Sequence, residues 1–154
     1  MRVLLVALSF TLISCSSAPE AKAPPEQPNY QAYLDKAAGE PGAVKTASGL
    51  VYRELKVGTG ASPMASDIVK VHYRGTLIDG TEFDSSYKRN EPATFPLGNV
   101  IPCWTEGVQK MKVGGKSQLV CPAPIAYGER GSPPVIPGGA TLVFEVELLG
   151  IGPS

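Results

Sequence analysis

The stretch DIVKVHYRGTL, residues 67–77, alternates strictly. Val69, Val71 and Tyr73 fall on one face of an extended chain, and Lys70, His72 and Arg74 on the other. A period of two commits the segment to a sheet with one dry face and one wet face. Asp79-Gly80 follows at once, the strongest short hairpin signal, so the next strand is predicted to return antiparallel through Glu82 and Phe83. Further strands are read over LVYRELKVG (50–58), ATFPLG (93–98), GKSQLVC (115–121) and TLVFEVELLGI (141–151), the last long enough to sit mid-sheet. Between these strands lies one helix. Pro102 suits its first turn, Trp104, Val108 and Met111 share a face, and the Gly114-Gly115 pair is predicted to end it. With 17 glycines and 15 prolines in 154 residues, short strands and many turns are favoured over a helical bundle. The expected class is α+β, one short helix covering the apolar face of an antiparallel sheet of five to six strands.

The N-terminal residues belong to a different problem. Arg2 precedes VLLVALSFTLI, an apolar run too short to span a bilayer as a stable helix. The run ends in LISC, which resembles the lipobox of bacterial lipoproteins. That resemblance implies cleavage after residue 14 and lipidation of Cys15; an ordinary secretory signal with an incidental cysteine is the competing reading. Ser16 in place of Asp implies, by the same resemblance, a protein exported and anchored in the outer membrane of a Gram-negative cell, facing the periplasm. Residues 16–28, SSAPEAKAPPEQP, lack the apolar content to fold and are expected to form an extended tether. NYQAYLDKAAG suits a short helix with Asn29 as cap and Gly39 as stop. The expected division is a signal segment over 1–14, a lipidated N-terminus with tether and short helix over 15–47, and a core domain over 48–154.

Most chemistries are excluded by what the chain lacks. Fourteen basic residues balance fourteen acidic ones, so no net charge draws the protein to nucleic acid. One histidine and no CxxC or HxxxH pair argue against a metal site. VGTGASP and KVGGK read as turns, not phosphate loops, and no GxSxG motif is present. His72 lies on the polar face of its strand and reads as a surface histidine. The carboxylates of Asp79, Glu82 and Asp84 cluster at the hairpin. Tyr73, Phe83, Trp104, Tyr127 and Phe144 stand on different elements at positions expected to face inward, three of them with polar handles that need partners. A filled aromatic core would account for them; so would an aromatic cleft.

In order along the chain come VHYRGTLIDGTEFDSS, VIPCWTEG, AYG and ATLVFEVELL. From Ser48 onward this succession resembles the FKBP-type peptidyl-prolyl cis-trans isomerases, the macrolide-binding immunophilins. The resemblance implies a twisted antiparallel sheet wrapped around one short helix, with a hydrophobic cleft between them that receives a substrate proline. Matched position by position, Trp104 resembles the pocket floor, Tyr73, Phe83 and Phe144 its walls, Val100 and Ile101 one rim, and Ile136 a flap. Asp84 matches the pocket carboxylate, while the Tyr127 hydroxyl and the Ile101 N–H match donors to ligand carbonyls. The catalytic set implied is Tyr73, Asp84, Ile101 and Tyr127. Ala93, where many members carry an aromatic residue, and Ser132, where some carry histidine, depart from the pattern and bear on drug affinity and substrate preference.

The implied reaction is rotation about Xaa-Pro bonds in unfolded or nascent clients, with no cofactor and no metal, and with macrolides as candidate ligands. A binding module that holds unfolded clients with weak or no catalysis is the alternative from another class. A monomer is expected, since the segment before the core is shorter than the helical arm of some relatives. Isomerisation uses no thiolate, which leaves Cys103 and Cys121 in an oxidising compartment once Cys15 carries lipid. A disulfide between them would close a loop of nearly twenty residues and contribute roughly 3 kcal/mol in the chain-entropy model.

Overall fold

The computed structural model describes residues 28–152, so the signal segment, Cys15 and most of the tether lie outside the described residues. Seven strands form one antiparallel sheet: β1 (Ala43–Lys45), β2 (Val51–Lys56), β3 (Ile68–Leu77), β4 (Glu82–Ser85), β5 (Ala93–Pro96), β6 (Lys116–Cys121) and β7 (Leu142–Gly152). Their order is β1-β2-β6-β7-β3-β4, with β5 also paired to β3. The long β3 and β7 run side by side through the centre, from Ile68 opposite Gly152 to Leu77 opposite Leu142. Alternation along β3 is obeyed: Val69, Val71 and Tyr73 are buried, whereas Lys70 and Arg74 are exposed. Asp79-Gly80 does turn the chain into β4. Gly80 takes φ +90°, its N–H donates to Leu77 O, and Asp79 Oδ1 accepts the Thr81 N–H at 2.8 Å.

On the inner face, α2 (Pro102–Gln109) packs over the sheet with Pro102 in its first turn. Trp104 and Val108 point into a core built with Leu50, Val69, Val71, Leu119, Leu142 and Val146. Gly107 allows the close approach, since a Cβ there would sit 2.7 Å from a Leu119 methyl. The helix stops at Gln109, ahead of the glycine pair expected to end it. Met111 is buried as expected but lies beyond the last turn, and Gly114, at φ +87°, instead turns the chain into β6.

The second helix, α1 (Tyr30–Ala38), has the cap and stop read from the sequence: Asn29 Oδ1 accepts the Ala32 N–H and Gly39 closes the C-terminus. Its role corrects the expectation that one helix covers the sheet. Leu34 and Ala37 of α1 bury Val51, Val120 and Val143, which form a small cluster separate from the main core. These valines pair in register across β2, β6 and β7. The segment read as a linker, EPGAVKTA, contains β1 and pairs with β2. Glu40 and Arg53 form an ion pair between the two, so the packed unit begins ahead of Ser48.

Candidate functional site

A cavity of about 280 Å³ opens between α2 and the inner face of the sheet. Its walls come from elements far apart in sequence: Tyr73 of β3, Phe83 and Asp84 of β4, Phe95 of β5, and Phe144 of β7. Asn99, Val100 and Ile101 supply one rim, Tyr127 another, and Trp104 the base. Trp104 is 4% exposed and meets three rings edge-on: Tyr73 at 5.1 Å, Phe144 at 5.4 Å and Phe95 at 5.7 Å between centroids, each within 10° of perpendicular. Perpendicular contacts suit the aromatic quadrupole and hold the rings apart instead of stacking them shut. The indole Nε1 has no hydrogen-bond partner among the described residues.

Polar groups collect on one side. The Tyr73 hydroxyl donates to Asp84 Oδ2, while Arg89 donates to Asp84 Oδ1 at 2.7 Å and to the Tyr73 hydroxyl at 3.2 Å. The Ser85 N–H donates to Asp84 Oδ1 at 2.9 Å, so the carboxylate is held by three residues. Burial alone would raise the Asp84 pKa, but the hydrogen bonds from Tyr73 and Arg89 outweigh it and keep the group below the ordinary carboxylate range. Burial, with Asp84 next, raises the Tyr73 phenol, and both partners push Arg89 up. Asp84 is therefore a fixed anion that orients Tyr73, engaged in the contacts that would also tie the hairpin to the core.

Besides the indole, the Ile101 N–H and the Tyr127 hydroxyl belong to residues that line the cavity and find no acceptor among the described residues. Ile101 is the N-cap of α2, at φ −57° and ψ 147°, and its N–H finds no acceptor among the described residues. Helix N-termini leave such groups unsatisfied and bias them toward carbonyl or anionic oxygen. Thr105 fixes this end of the helix by donating to Leu97 O at 2.8 Å. Cys103, between Ile101 and Trp104, is fully buried and joined by a disulfide to Cys121 of β6, with Cα atoms 5.8 Å apart. Tyr127 was expected inside; it is 39% exposed, at the cavity mouth, because its loop leaves the sheet after β6.

Eight residues singled out from the sequence line the cavity, and Ile136 does not: it is 5% exposed, packed in the core and bridged to Ser132. Sequence reading missed Phe95 and Asn99. Phe95 reaches Trp104 only because β5 pairs with β3, placing Val69 opposite Phe95. Nothing local in ATFP announces that pairing. Among the described residues no three His, Cys, Asp or Glu side chains gather as a metal site would require.

Comparison with known proteins matches the cavity-bearing region. Residues 60–149 match the family model for FKBP-type peptidyl-prolyl cis-trans isomerases. The chain is 58% identical over 125 residues to the FKBP-type peptidyl-prolyl cis-trans isomerase FkpA of Aeromonas hydrophila, covering 81% of this chain and 46% of that one. The crystal structure of FkpA from Escherichia coli superposes with a TM-score of 0.78 at 51% identity, over 80% of this chain and 58% of that chain. A peptidyl-prolyl cis-trans isomerase from Pseudomonas syringae pv. tomato gives a TM-score of 0.75 at 37% identity, covering 80% of this chain and 90% of that one. The chain thus spans about half the length of the curated FkpA relatives it matches.

Proposed function

This chain belongs to the FKBP-type peptidyl-prolyl cis-trans isomerases, and from that premise we propose that its cavity binds proline and speeds rotation about the preceding peptide bond. The barrier to that rotation is ~18–20 kcal/mol and arises from loss of C–N resonance. The planar amide is charge-separated and well solvated, and the twisted amide is less polar. A cavity walled by Tyr73, Phe83, Phe95 and Phe144 solvates the planar form less well than water does, and so disfavours it relative to the twisted one. A thousandfold acceleration requires only about 4 kcal/mol of this preference.

Each group has a part. Trp104 seats the pyrrolidine ring, and the free Ile101 N–H and the Tyr127 hydroxyl take substrate carbonyls at opposite rims. Val100 flanks the entrance. Asp84, saturated by Tyr73, Arg89 and Ser85, acts by holding Tyr73 in place and not by accepting a proton. The observation that carries the reading is the open aromatic cavity with two unengaged donors at its mouth. The clients are unfolded or nascent polypeptides outside the cytoplasm, reached from a lipid anchor at Cys15 on the periplasmic side of the outer membrane. LISC and the Pro/Ala-rich tether support this placement.

Catalysed isomerisation of a proline tetrapeptide, with Tyr127→Phe beside the unaltered protein, tests the assignment. Tyr127 is exposed, so losing its hydroxyl leaves the fold intact, and kcat/KM falls by about three- to tenfold for one lost hydrogen bond. Unchanged kcat/KM removes Tyr127 from the site, and inhibition by a macrolide that fills the cavity reports whether catalysis occurs there.

A further inference from the structure

His72 is the sole histidine of the chain, and its surroundings are not those of a solvated surface side chain. It stands on the face of β3 opposite the cavity, half-buried, with its ring stacked on Tyr87 at 4.8 Å and 14° between planes. Its Nδ1 lies 2.8 Å from Ser86 Oγ. Ser86 is fully buried; its Oγ accepts the Tyr73 N–H at 2.8 Å and can donate to Tyr73 O at 3.3 Å. The Tyr87 hydroxyl donates to Glu147 Oε2 at 3.2 Å, and Glu147 sits directly across from His72 on β7. The segment that carries Asp84 and Arg89 to the front of the sheet is therefore clipped from behind by one imidazole.

We propose that His72 is a positioning residue for the cavity, holding Ser86 and Tyr87 so that Asp84 and Arg89 keep Tyr73 in its binding orientation. The clip has two protonation states with different bonding. With a neutral ring and bare Nδ1, the Ser86 hydroxyl donates to His72. With imidazolium, Nδ1–H donates to Ser86, whose own proton turns to Tyr73 O. The charged ring also gains the Tyr87 face and the Glu147 carboxylate.

Other charges around it are mostly engaged. On β3, Arg74 bonds Glu82 of β4, which also holds Lys88, while Lys70 flanks His72 on the same face. On the neighbouring strands, Lys116 of β6 pairs with Glu145 of β7 at 3.5 Å. Protonation of the ring therefore tightens the clip and strengthens substrate binding.

This rests on the cavity being the binding site, so the test has one arm that needs no activity. In the full chain, nuclear magnetic resonance follows the imidazole and the backbone amides of Tyr73 and residues 84–89 in samples taken from about pH 8 to about pH 5. The amides should titrate with the imidazole in the unaltered protein and not in His72→Asn, which keeps a group able to bond Ser86 but cannot titrate. In kinetics, KM should rise with pH in the unaltered protein, stay flat in His72→Asn, and rise about threefold or more in His72→Ala with kcat little changed. Amides that ignore the imidazole titration, or a KM profile that survives in His72→Asn, overturn the proposal. Coupled amides in a protein with no isomerase activity at any pH leave the clip standing and remove the proposed function instead. If His72→Ala does not fold, the titration and His72→Asn decide.

Discussion

Asp84 is the residue whose setting departs furthest from what its position suggests. A carboxylate beside an aromatic cavity looks like an acid or base, yet Tyr73, Arg89 and Ser85 use its oxygens and hold it ionised. Its pKa is lower folded than unfolded, so the unfolded chain takes up the proton first as pH drops. The stability that Asp84 contributes is present at neutral pH and is lost as pH falls below about 4, through the depressed folded value. Thermal unfolding of Asp84→Asn should accordingly show a shallower decline over that acid range than the unaltered protein. Because the side chain is 42% exposed, the difference is modest. An identical acid slope in both proteins would mean that the ion pair with Arg89 contributes nothing to folding.

At the scale of elements, β3 decides the cavity. It pairs β7 on one side and both β4 and β5 on the other, so rings from three strands converge beside Tyr73. Gly75 makes this convergence fit. A Cβ there would lie 2.6 Å from Phe83 Cζ and 2.9 Å from Phe144 Cε1, two rings that meet at 5.6 Å and 89° and line the cavity. Gly75→Ala should push these rings into the cavity, raise KM about tenfold and cost about 1–3 kcal/mol of stability, measured by kinetics and denaturant unfolding. A variant with normal KM would show that the rings relax outward.

The inner layer was legible because β3 alternates cleanly, Asp79-Gly80 marks its hairpin, and α2 opens on a proline with Trp104 and Val108 on one buried face. The outer layer was less so, although a signal existed. Leu50-Val51-Tyr52, Leu119-Val120-Cys121 and Leu142-Val143-Phe144 are each buried on consecutive residues, which alternation with a wet face cannot explain. Runs like these require cover on both faces, and α1 supplies it. The wall made by β5 had no comparable signal, because pairing at a sheet edge depends on distant partners and not on the four residues themselves.

For the whole molecule, the disulfide links the helix that floors the cavity to the centre of the sheet, across a sequence separation of 18. Reducing it should lower the unfolding free energy by about 3 kcal/mol in the chain-entropy model, read as a drop in the denaturant midpoint of reduced against oxidised protein. No change in midpoint would place both states equally far from unfolding and leave the bond without a stabilising part. The central claim is that the cavity itself catalyses rotation of an Xaa-Pro bond. Exchange spectroscopy on a proline tetrapeptide measures this most directly, since it reads cis–trans interconversion at equilibrium in the presence of the full chain. The account predicts exchange far faster than the uncatalysed process, which takes tens to hundreds of seconds, with magnetisation transfer between the proline ring and Trp104. Exchange at the uncatalysed rate, or acceleration without contact to Trp104, would contradict it.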